Sequence, residues 1–389
     1  MRSARTTVLL AAAWAVPAAL PQPAVQILDT AVVSRCHYYG FFPSLHLLST
    51  GELICAVKMD ADQHSAEGNF WAFTVSRDGG RTWGIRNTAG MVYKGEAAYA
   101  RIPRPDGTLR MLAGYPLPAE GADFQHLEAV SVEISDRGRS ILLRRDVRID
   151  LPKPSFRKKL DTKIVNFASL GPGKLEESGF VFFSGSILEG GPRELLTTMY
   201  GKLEADRYFR TFVARSNPEG KSWSYVATIA GDPEAVVLQG EKGTEGFTEP
   251  RMIRLRDGRL FVVMRRGSDN LMYRCWSSDH GRTWTQPASI GFRGVKPALW
   301  LMKNGVLALS TGRPDPVSAY FSLDGGQTWS PPTVLFREPG TRYTDLLEIE
   351  PDRLLVVYDH VPFDWGVIPD DHPEAMNTVY CTRIEVKRR

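Results

Sequence analysis

Short apolar stretches run through the chain, with residues such as Phe261 and Val263 at every second position, and turn signals separate the stretches. One series runs from Pro250 to Leu255, then, after an Asp-Gly pair, from Leu260 to Arg265, and then from Leu271 to Ser277. A period of two is typical of β-strands, and Asp-Gly is typical of tight turns between them. The pattern therefore predicts hairpins of short strands.

An eight-residue pattern, S-x-D-x-G-x-T-W, follows the third strand of such a series. Copies occupy residues 76–83, 277–284 and 322–329, and a looser copy, in which Pro218 replaces the aspartate, occupies residues 216–223. The aspartate can accept backbone N–H bonds across a tight turn, and the glycine can adopt a positive φ. The tryptophan places a large apolar side chain against the sheet. The repeat predicts that each copy closes a β-hairpin.

The spacing of the copies predicts six repeat units. Their serines stand at positions 76, 216, 277 and 322, so the first gap of 140 residues is about twice the later gaps of 61 and 45. A second unit therefore fits inside the first gap, and a sixth runs from Tyr343 to Ile384. Six units predict an all-β, six-bladed β-propeller, because radial closure protects sheet edges. Strand Ile27–Val33 is expected to complete the last blade by pairing with residues 378–385.

The start of the chain differs from the rest. A basic head, Met1–Arg5, precedes an apolar run from Val8 to Leu20. The run is shorter than the about 20 residues that cross a bilayer, which indicates a signal peptide. We expect a signal peptide over residues 1–24, one propeller domain over residues 25–389, export to the periplasm or the extracellular space, and no stable membrane insertion.

Composition and charge narrow the function classes. The formal net charge is +4, and acidic and basic residues are interleaved, so no basic stripe supports nucleic-acid binding. The four cysteines lie far apart, without metal-ligand spacing, and are expected to be mostly buried strand residues rather than a disulfide framework. Gly-x-Gly clusters lack a following helix pattern. We therefore expect no metal and no cofactor, and the sequence does not indicate an oligomeric state.

The eight-residue pattern resembles the Asp box of the sialidase superfamily, which joins the third and fourth strands of a propeller blade on the face opposite the active site. Four further residues match that family in order and in blade. Glu249 opens the fourth unit before Pro250, and Arg265 closes its second strand. Arg313 is similar to the third arginine of the family's triad, and Tyr343 stands where the nucleophilic tyrosine opens the last blade.

The resemblance implies an exo-acting, retaining glycoside hydrolase that removes terminal sialic acid or another acidic sugar from glycans. A phenol has a pKa near 10, so a carboxylate beside it is needed to activate it as a nucleophile. By the resemblance, Glu249 activates Tyr343. Arg265 and Arg313 would bind the substrate carboxylate through bidentate hydrogen bonds. The alternative for such residues is a buried ion pair that holds blades together.

The first unit departs from the family. Sialidases open this blade with Arg-Ile-Pro, whereas this chain has Phe-Phe-Pro at residues 41–43. Phe41 cannot bind a carboxylate, so ordinary sialosides are expected to be poor substrates. Lys58, Arg35 and Arg101 are the candidates that could restore the missing positive charge.

The family's general acid has no single counterpart. It is an aspartate on the loop between the second and third strands of the first blade. The candidates in this loop are Asp60, Asp62 and His64.

Two other functions stay open. One is a propeller polysaccharide lyase acting on uronic acids, in which a histidine (His37, His64 or His360) and a tyrosine transfer protons. The other is a non-catalytic glycan-binding propeller in which the arginines only join blades. A tyrosine at position 343 that is buried away from the axial pocket would favour this last function.

Overall fold

The computed structural model describes residues 21–37, 40–60, 69–87, 100–103, 109–112, 117–118, 126–134, 141–152, 156–160, 175–178, 182–183, 187–206, 208–231, 246–267, 271–363 and 368–388. The regular elements of these ranges are β-strands, numbered here in chain order. The first half comprises β1 (Ala24–Cys36), β2 (Gly40–Leu47), β3 (Leu53–Asp60), β4 (Asn69–Ser76), β5 (Gly84–Asn87), β6 (Ala100–Pro103), β7 (Leu109–Leu112), β8 (Leu117–Pro118), β9 (His126–Ile134), β10 (Ile141–Asp150), β11 (Phe156–Leu160), β12 (Leu175–Ser178), β13 (Phe182–Phe183) and β14 (Leu188–Gly191). The second half comprises β15 (Glu194–Gly201), β16 (Arg210–Ser216), β17 (Ser222–Ala230), β18 (Phe247–Arg254), β19 (Leu260–Arg266), β20 (Leu271–Ser277), β21 (Ala288–Arg293), β22 (Val295–Leu301), β23 (Leu307–Gly312), β24 (Val317–Ser322), β25 (Thr333–Phe336), β26 (Thr344–Glu350), β27 (Arg353–His360) and β28 (Asn377–Lys387).

The strands of the described residues form a β-propeller with five blades. Four blades are four-stranded sheets, in the orders β2-β3-β4-β5, β18-β19-β20-β21, β22-β23-β24-β25 and β1-β28-β27-β26. The fifth is a ten-stranded sheet that contains β6 to β10 and β13 to β17, and β11 pairs with β12 in a separate hairpin. The predicted all-β propeller is confirmed, but the predicted count of six blades is wrong.

The second and third predicted units share the ten-stranded sheet because β10 and β17 pair in parallel. Ile149 lies opposite Trp223 in this pairing, and the Arg148 amide donates to the Lys221 carbonyl at 2.8 Å. The Trp223 side chain is fully buried in one apolar cluster with Ile149 and with Ile102 from β6. The spacing of the turn motifs predicts one separate sheet for each unit, and it carries no information on the pairing of β10 with β17 that joins two units.

A buried arginine reinforces this junction. Arg110 on β7 is fully buried and donates to both carboxylate oxygens of Asp146 at 2.9 Å. It also donates to the carbonyl oxygen of Glu219, in the turn before β17. One side chain therefore connects the strands of the second unit to the turn of the third.

The last blade is closed by the start of the described chain. Strand β1 pairs antiparallel with β28, with Ile27 opposite Ile384 and Val32 opposite Tyr380. This confirms the pairing predicted for the stretch Ile27–Val33. The edge between this blade and the first is filled by apolar side chains, among them Leu45 and Leu347, which belong to one buried cluster.

Three turns between the third and fourth strands of their blades share one set of hydrogen bonds. In the first, Oδ1 of Asp78 accepts from the amides of Arg81 and Thr82 at 3.0 and 2.9 Å, and Oδ2 accepts from the Thr82 hydroxyl at 2.6 Å. Asp279 and Asp324 accept the equivalent bonds. The three tryptophans that follow pack against the buried clusters of their blades; they are Trp83, Trp284 and Trp329.

The pairing of β19 with β20 shows at which end of the sheet the aspartate turn lies. Leu260 lies opposite Ser277, next to the aspartate turn, whereas Arg265 lies opposite Met272 at the other end of the sheet. Arg265 also lies opposite Thr248 of β18. The residues that open the first strand of this blade are therefore at the end of the sheet away from the aspartate turn.

All four cysteines are unbridged in the structure, and three of them are buried: Cys55, Cys275 and Cys381. The described residues include no helix that is long and apolar enough to span a bilayer.

Candidate functional site

Three blades open with the same irregularity in their first strand. The pairing with the second strand shifts register between Phe41 and Ser44 in β2, between Thr248 and Arg251 in β18, and between Val295 and Ala298 in β22. A proline follows the irregular residue in each case, and proline has no N–H to donate to the ladder. The sequence therefore forces a bulge at this point, and bulges re-aim side chains next to active sites.

The residues before these prolines occupy equivalent positions. Phe42, Glu249 and Lys296 have φ angles of 56°, 51° and 37°. Positive φ is uncommon for residues other than glycine and persists where the surrounding structure holds it. The chain thus presents an aromatic ring, a carboxylate and an ammonium from the same point of three blades.

The Glu249 carboxylate is buried and has three partners. The hydroxyl of Tyr343 donates a hydrogen bond to Oε1, and the backbone amide of Lys296 donates to Oε2 at 2.7 Å. Nε of Arg265 lies 3.3 Å from Oε2. Glu249 and Arg265 are 6% and 8% exposed, so these bonds replace most of the water that an ionised carboxylate needs.

These partners decide the protonation state of Glu249. Burial by itself raises the pKa of this carboxyl, but the Arg265 charge, the Tyr343 hydrogen bond, the Arg313 charge and the Lys296 amide oppose burial. The net effect lowers the pKa below its ordinary value of 4.5. Glu249 is therefore ionised at neutral pH and can accept a proton.

The Tyr343 ring is half-buried, and the side chains of Phe42, Lys296 and Arg313 lie beside it. The Phe42 ring lies at a centroid distance of 4.6 Å, tilted by 35°. The Lys296 ammonium lies 5.2 Å from the centroid of the Tyr343 ring, and the Arg313 guanidinium carbon lies 5.8 Å from it. Cations at these distances interact favourably with the face of an aromatic ring and still more with a phenolate.

A second buried carboxylate holds the loop that precedes Tyr343. Asp359 is fully buried at the end of β27. Its Oδ1 accepts from the amides of Thr341 and Arg342 at 2.7 and 3.2 Å, and its Oδ2 accepts from the Thr341 hydroxyl and from the Phe42 amide. Burial raises the pKa of Asp359, although the four hydrogen bonds oppose the effect. Asp359 thus connects the Phe42 bulge to the Tyr343 loop.

A cavity of about 260 Å³ adjoins this loop. Arg313 and the loop residue Thr341 are part of its lining, which is Arg313, Pro339, Gly340, Thr341, Val361, Pro362 and Phe363. Arg342 braces the same region, because its guanidinium donates to the carbonyl oxygens of Pro314 and Asp315 at 2.5 and 2.7 Å. Arg313 therefore both lines this cavity and lies beside the Tyr343 ring.

Of the residues singled out from the sequence, the structure brings four together: Glu249, Arg265, Arg313 and Tyr343. The backbone of Lys58 pairs with Phe41, which is the register position that Arg265 has opposite Thr248. The side chains of Phe41, Lys58, Asp60 and Arg101, and the whole of Asp62 and His64, lie outside the described residues.

Arg35 is not among the residues that the structure brings together at Tyr343. It is exposed on β1, the outermost strand of its blade, three strands away from β26. Three strand spacings amount to about 14 Å.

Two of the three histidines considered for the lyase, His37 and His360, belong to the described residues. Nδ1 of His37 bonds to the carbonyl oxygen of Ala375 at 3.1 Å, and His360 packs edge-on against Phe336. Burial lowers the pKa of His360 below 6.5. Among the described residues, no group of three or more His, Cys, Asp or Glu side chains could hold a metal ion.

Sequence reasoning missed Lys296 and Asp359. The signal for Lys296 was available, since Lys296-Pro297 repeats the Glu249-Pro250 pair at the start of the next blade. Asp359 carried no local signal, because its partners Thr341 and Phe42 are 18 and 317 residues away in the chain.

Solved structures with this fold include enzymes with different substrates. A protein of unknown function from Dyadobacter fermentans aligns with a TM-score of 0.66 and 18% identity, over 93% of this chain and 99% of its own. An alpha-L-arabinanase from Penicillium chrysogenum, in complex with arabinobiose, aligns with a TM-score of 0.62 and 14% identity, over 92% of this chain and 98% of its own. The Hadza microbial sialidase Hz136 aligns with a TM-score of 0.59 and 15% identity, over 90% of this chain and 66% of its own.

At these identities the structural neighbours establish the fold alone. No curated protein matches the chain in sequence. Residues 159–356, just over half of the chain, match the family described as the BNR repeat-like domain. The chain therefore belongs to the BNR repeat-like domain family, as its resemblance to the sialidase superfamily predicted.

Proposed function

We propose that this protein is an exported, retaining glycoside hydrolase that releases an acidic sugar from the end of a glycan, with Tyr343 as nucleophile. The observation that carries the proposal is the hydrogen bond from the Tyr343 hydroxyl to the ionised Glu249 carboxylate, two residues from different blades. A neutral phenol beside a buried base is the arrangement that makes tyrosine nucleophilic. Sialidases are the exception to two-carboxylate glycosidase chemistry for this reason.

The proposed reaction has two steps. In the first, Glu249 takes the phenolic proton while the Tyr343 oxygen bonds to the anomeric carbon, and the glycosidic bond breaks as a general acid protonates the leaving oxygen. In the second, water attacks the anomeric carbon and gives a proton to the group that served as general acid, while the bond to Tyr343 breaks and Glu249 returns its proton to the phenolate oxygen. We propose that the acid is Asp60, the last residue of β3, or Asp62 or His64 in the segment that follows. Double displacement retains the anomeric configuration.

The cations around Tyr343 favour an acidic substrate. Arg265 and Arg313 flank the tyrosine and its base, and guanidinium groups bind carboxylates through paired hydrogen bonds. The substrate carboxylate would lie near Arg313, with the rest of the sugar directed towards the adjoining cavity. Because position 41 is phenylalanine, a simple sialoside would lack one arginine contact, and another acidic sugar is an equal candidate.

A second candidate is hydrolysis of a neutral arabinose-containing glycan. The similarity to the Penicillium chrysogenum arabinanase in complex with arabinobiose favours it. A phenylalanine in place of the first arginine also suits a substrate without a carboxylate. The two candidates differ in the charge of the sugar, so one substrate panel separates them.

The test is a panel of fluorogenic sialosides, uronides and arabinofuranosides. We expect the wild-type protein to release an acidic sugar with retained configuration, and Tyr343→Phe to lose on the order of 100-fold or more in kcat. Tyr225→Phe is the matched control, because Tyr225 bonds to Thr228 at 2.8 Å in another blade. An unsaturated uronide product would support the lyase instead, and glycan binding without turnover would support the non-catalytic propeller.

A further inference from the structure

We propose that Lys296 binds the anionic group of the substrate and replaces the arginine that the first blade lacks. The proposal rests on the proposed function only for the place where the substrate lies. It names a cation that the sequence did not single out, and it specifies a sugar that carries a carboxylate.

The position of Lys296 follows from the repeated bulge. Its residue is equivalent in register to Glu249, and its amide is fixed on the Glu249 carboxylate at 2.7 Å. The bulge in β18 places Glu249 at the Tyr343 hydroxyl, and the equivalent bulge in β22 places the Lys296 side chain at the Tyr343 ring. The two groups are therefore positioned by one piece of backbone geometry in neighbouring blades.

The first blade contributes an apolar group at the same point. Phe42, the equivalent of Lys296, packs on the Tyr343 ring at 4.6 Å, and Phe41 precedes it. A positive charge at the mouth of this blade is thus replaced by apolar surface. The ammonium of Lys296 and the guanidinium of Arg313, at 5.2 and 5.8 Å from the ring centroid, mark where an anion approaching Tyr343 meets positive charge.

The burial of Lys296 suits this role. The residue is partly exposed, whereas Glu249 and Arg265 are buried. A partly exposed ammonium can reach a bound ligand and still keep part of its hydration before the ligand arrives. Lysine is a point charge rather than a planar fork, so it attracts a carboxylate without fixing its orientation. The replacement should therefore preserve affinity for anions and relax the demand for one particular acidic sugar.

The test measures binding, by calorimetry, of free N-acetylneuraminic acid, glucuronic acid and neutral arabinobiose. The variants are Lys296→Met, Lys296→Arg and, as matched control, Lys303→Met, an exposed lysine at the other end of the same blade. We expect Lys296→Met to weaken binding of the acidic sugar about 10- to 100-fold, and Lys296→Arg to retain it. Lys296→Met should leave binding of neutral arabinobiose unchanged within error, and Lys303→Met should leave binding of all three sugars unchanged within error.

Three results would overturn the proposal: unchanged acidic-sugar binding by Lys296→Met, equal losses for acidic and neutral sugars, or no acidic-sugar binding by the wild-type protein. Thermal unfolding of each variant, together with Lys296→Arg, separates loss of the charge from loss of the fold. Binding that needs Lys296 without any turnover would refute the proposed hydrolysis and keep this inference. Turnover that needs Tyr343 but not Lys296 would do the reverse.

Discussion

The backbone amide of Phe42 donates a hydrogen bond of 3.3 Å to Oδ2 of Asp359, although the two residues are 317 positions apart in the chain. The same carboxylate accepts the amides of Thr341 and Arg342, directly before Tyr343. One buried side chain thus fixes the bulge of the first blade and the tyrosine loop of the last. The placement of Tyr343 therefore depends on Asp359 through the loop that this carboxylate holds.

Replacing Asp359 with asparagine should separate positioning from chemistry. The amide NH₂ would face N–H donors and leave at least one of them unsatisfied, which costs about 1–3 kcal/mol in a buried site. We expect a lower melting temperature and a fall in kcat of about ten-fold, with a smaller change in KM. Glu348→Gln is the control, because Glu348 accepts amides of Lys303 and Asp352 at the other end of the blade. An equal effect of both variants on kcat would contradict the positioning role.

The acid limb of the pH profile should report Glu249. Because its pKa is lowered in the folded protein, the carboxylate is ionised above the ordinary value of 4.5, and its stabilising contribution is lost only as pH falls below that value. The Arg265 charge is the largest effect that lowers this pKa. Arg265→Gln should therefore move the acid limb of kcat/KM to higher pH.

The control for this shift is Arg251→Gln, since Arg251 pairs with Asp345 at 3.1 Å rather than with Glu249. It should leave the position of the acid limb unchanged. An acid limb that is insensitive to Arg265→Gln would mean that a group other than Glu249 controls it.

The aspartate turns should stabilise the propeller in a pH-dependent way. Hydrogen bonds from Thr283, Ser277 and the Arg282 amide lower the pKa of Asp279 from 3.8 to about 2. The turn therefore contributes fully above pH 3.8, and its contribution is lost as pH falls towards 2. Asp279→Asn should lower the free energy of unfolding by about 1–2 kcal/mol at neutral pH. It should also reduce the fall of this free energy between pH 3.8 and pH 2, as measured by urea unfolding at several pH values. Ser278→Ala, at an exposed position of the same turn, should have little effect.

Gly340 should tolerate no side chain. A Cβ at this position would lie 2.4 Å from the Asp359 carbonyl oxygen, which is backbone and cannot move away cheaply. Gly340→Ala should therefore destabilise the protein and lower activity through the Tyr343 loop. At Gly84 a Cβ meets nothing within 4 Å, so Gly84→Ala should be neutral or stabilising by up to about 1 kcal/mol. Equal melting temperatures of the two variants would contradict the packing of this loop.

Sequence reasoning reached the parts of this fold that depend on local pattern. The stretch from Leu271 to Ser277 was predicted from periodicity and turn residues, and β20 has the same bounds. The number of blades was not accessible, because the pairing of Ile149 with Trp223 joins residues far apart in the chain. The convergence of Glu249 and Tyr343 followed from a family resemblance. Lys296 was overlooked because that resemblance provides no cation at its position.

The most direct test of the central claim is a covalent label. The reagent is a glycosyl fluoride of the best substrate's sugar, with a second fluorine beside the anomeric carbon. The second fluorine destabilises the oxocarbenium-like transition states of both steps, whereas the fluoride leaving group speeds the first step. The glycosyl-enzyme should therefore form faster than water can hydrolyse it. Peptide mass spectrometry then locates the sugar. We predict one added sugar on Tyr343 and none in Tyr343→Phe. A label on Glu249, or an unlabelled protein that releases product with inverted configuration, would contradict the tyrosine mechanism.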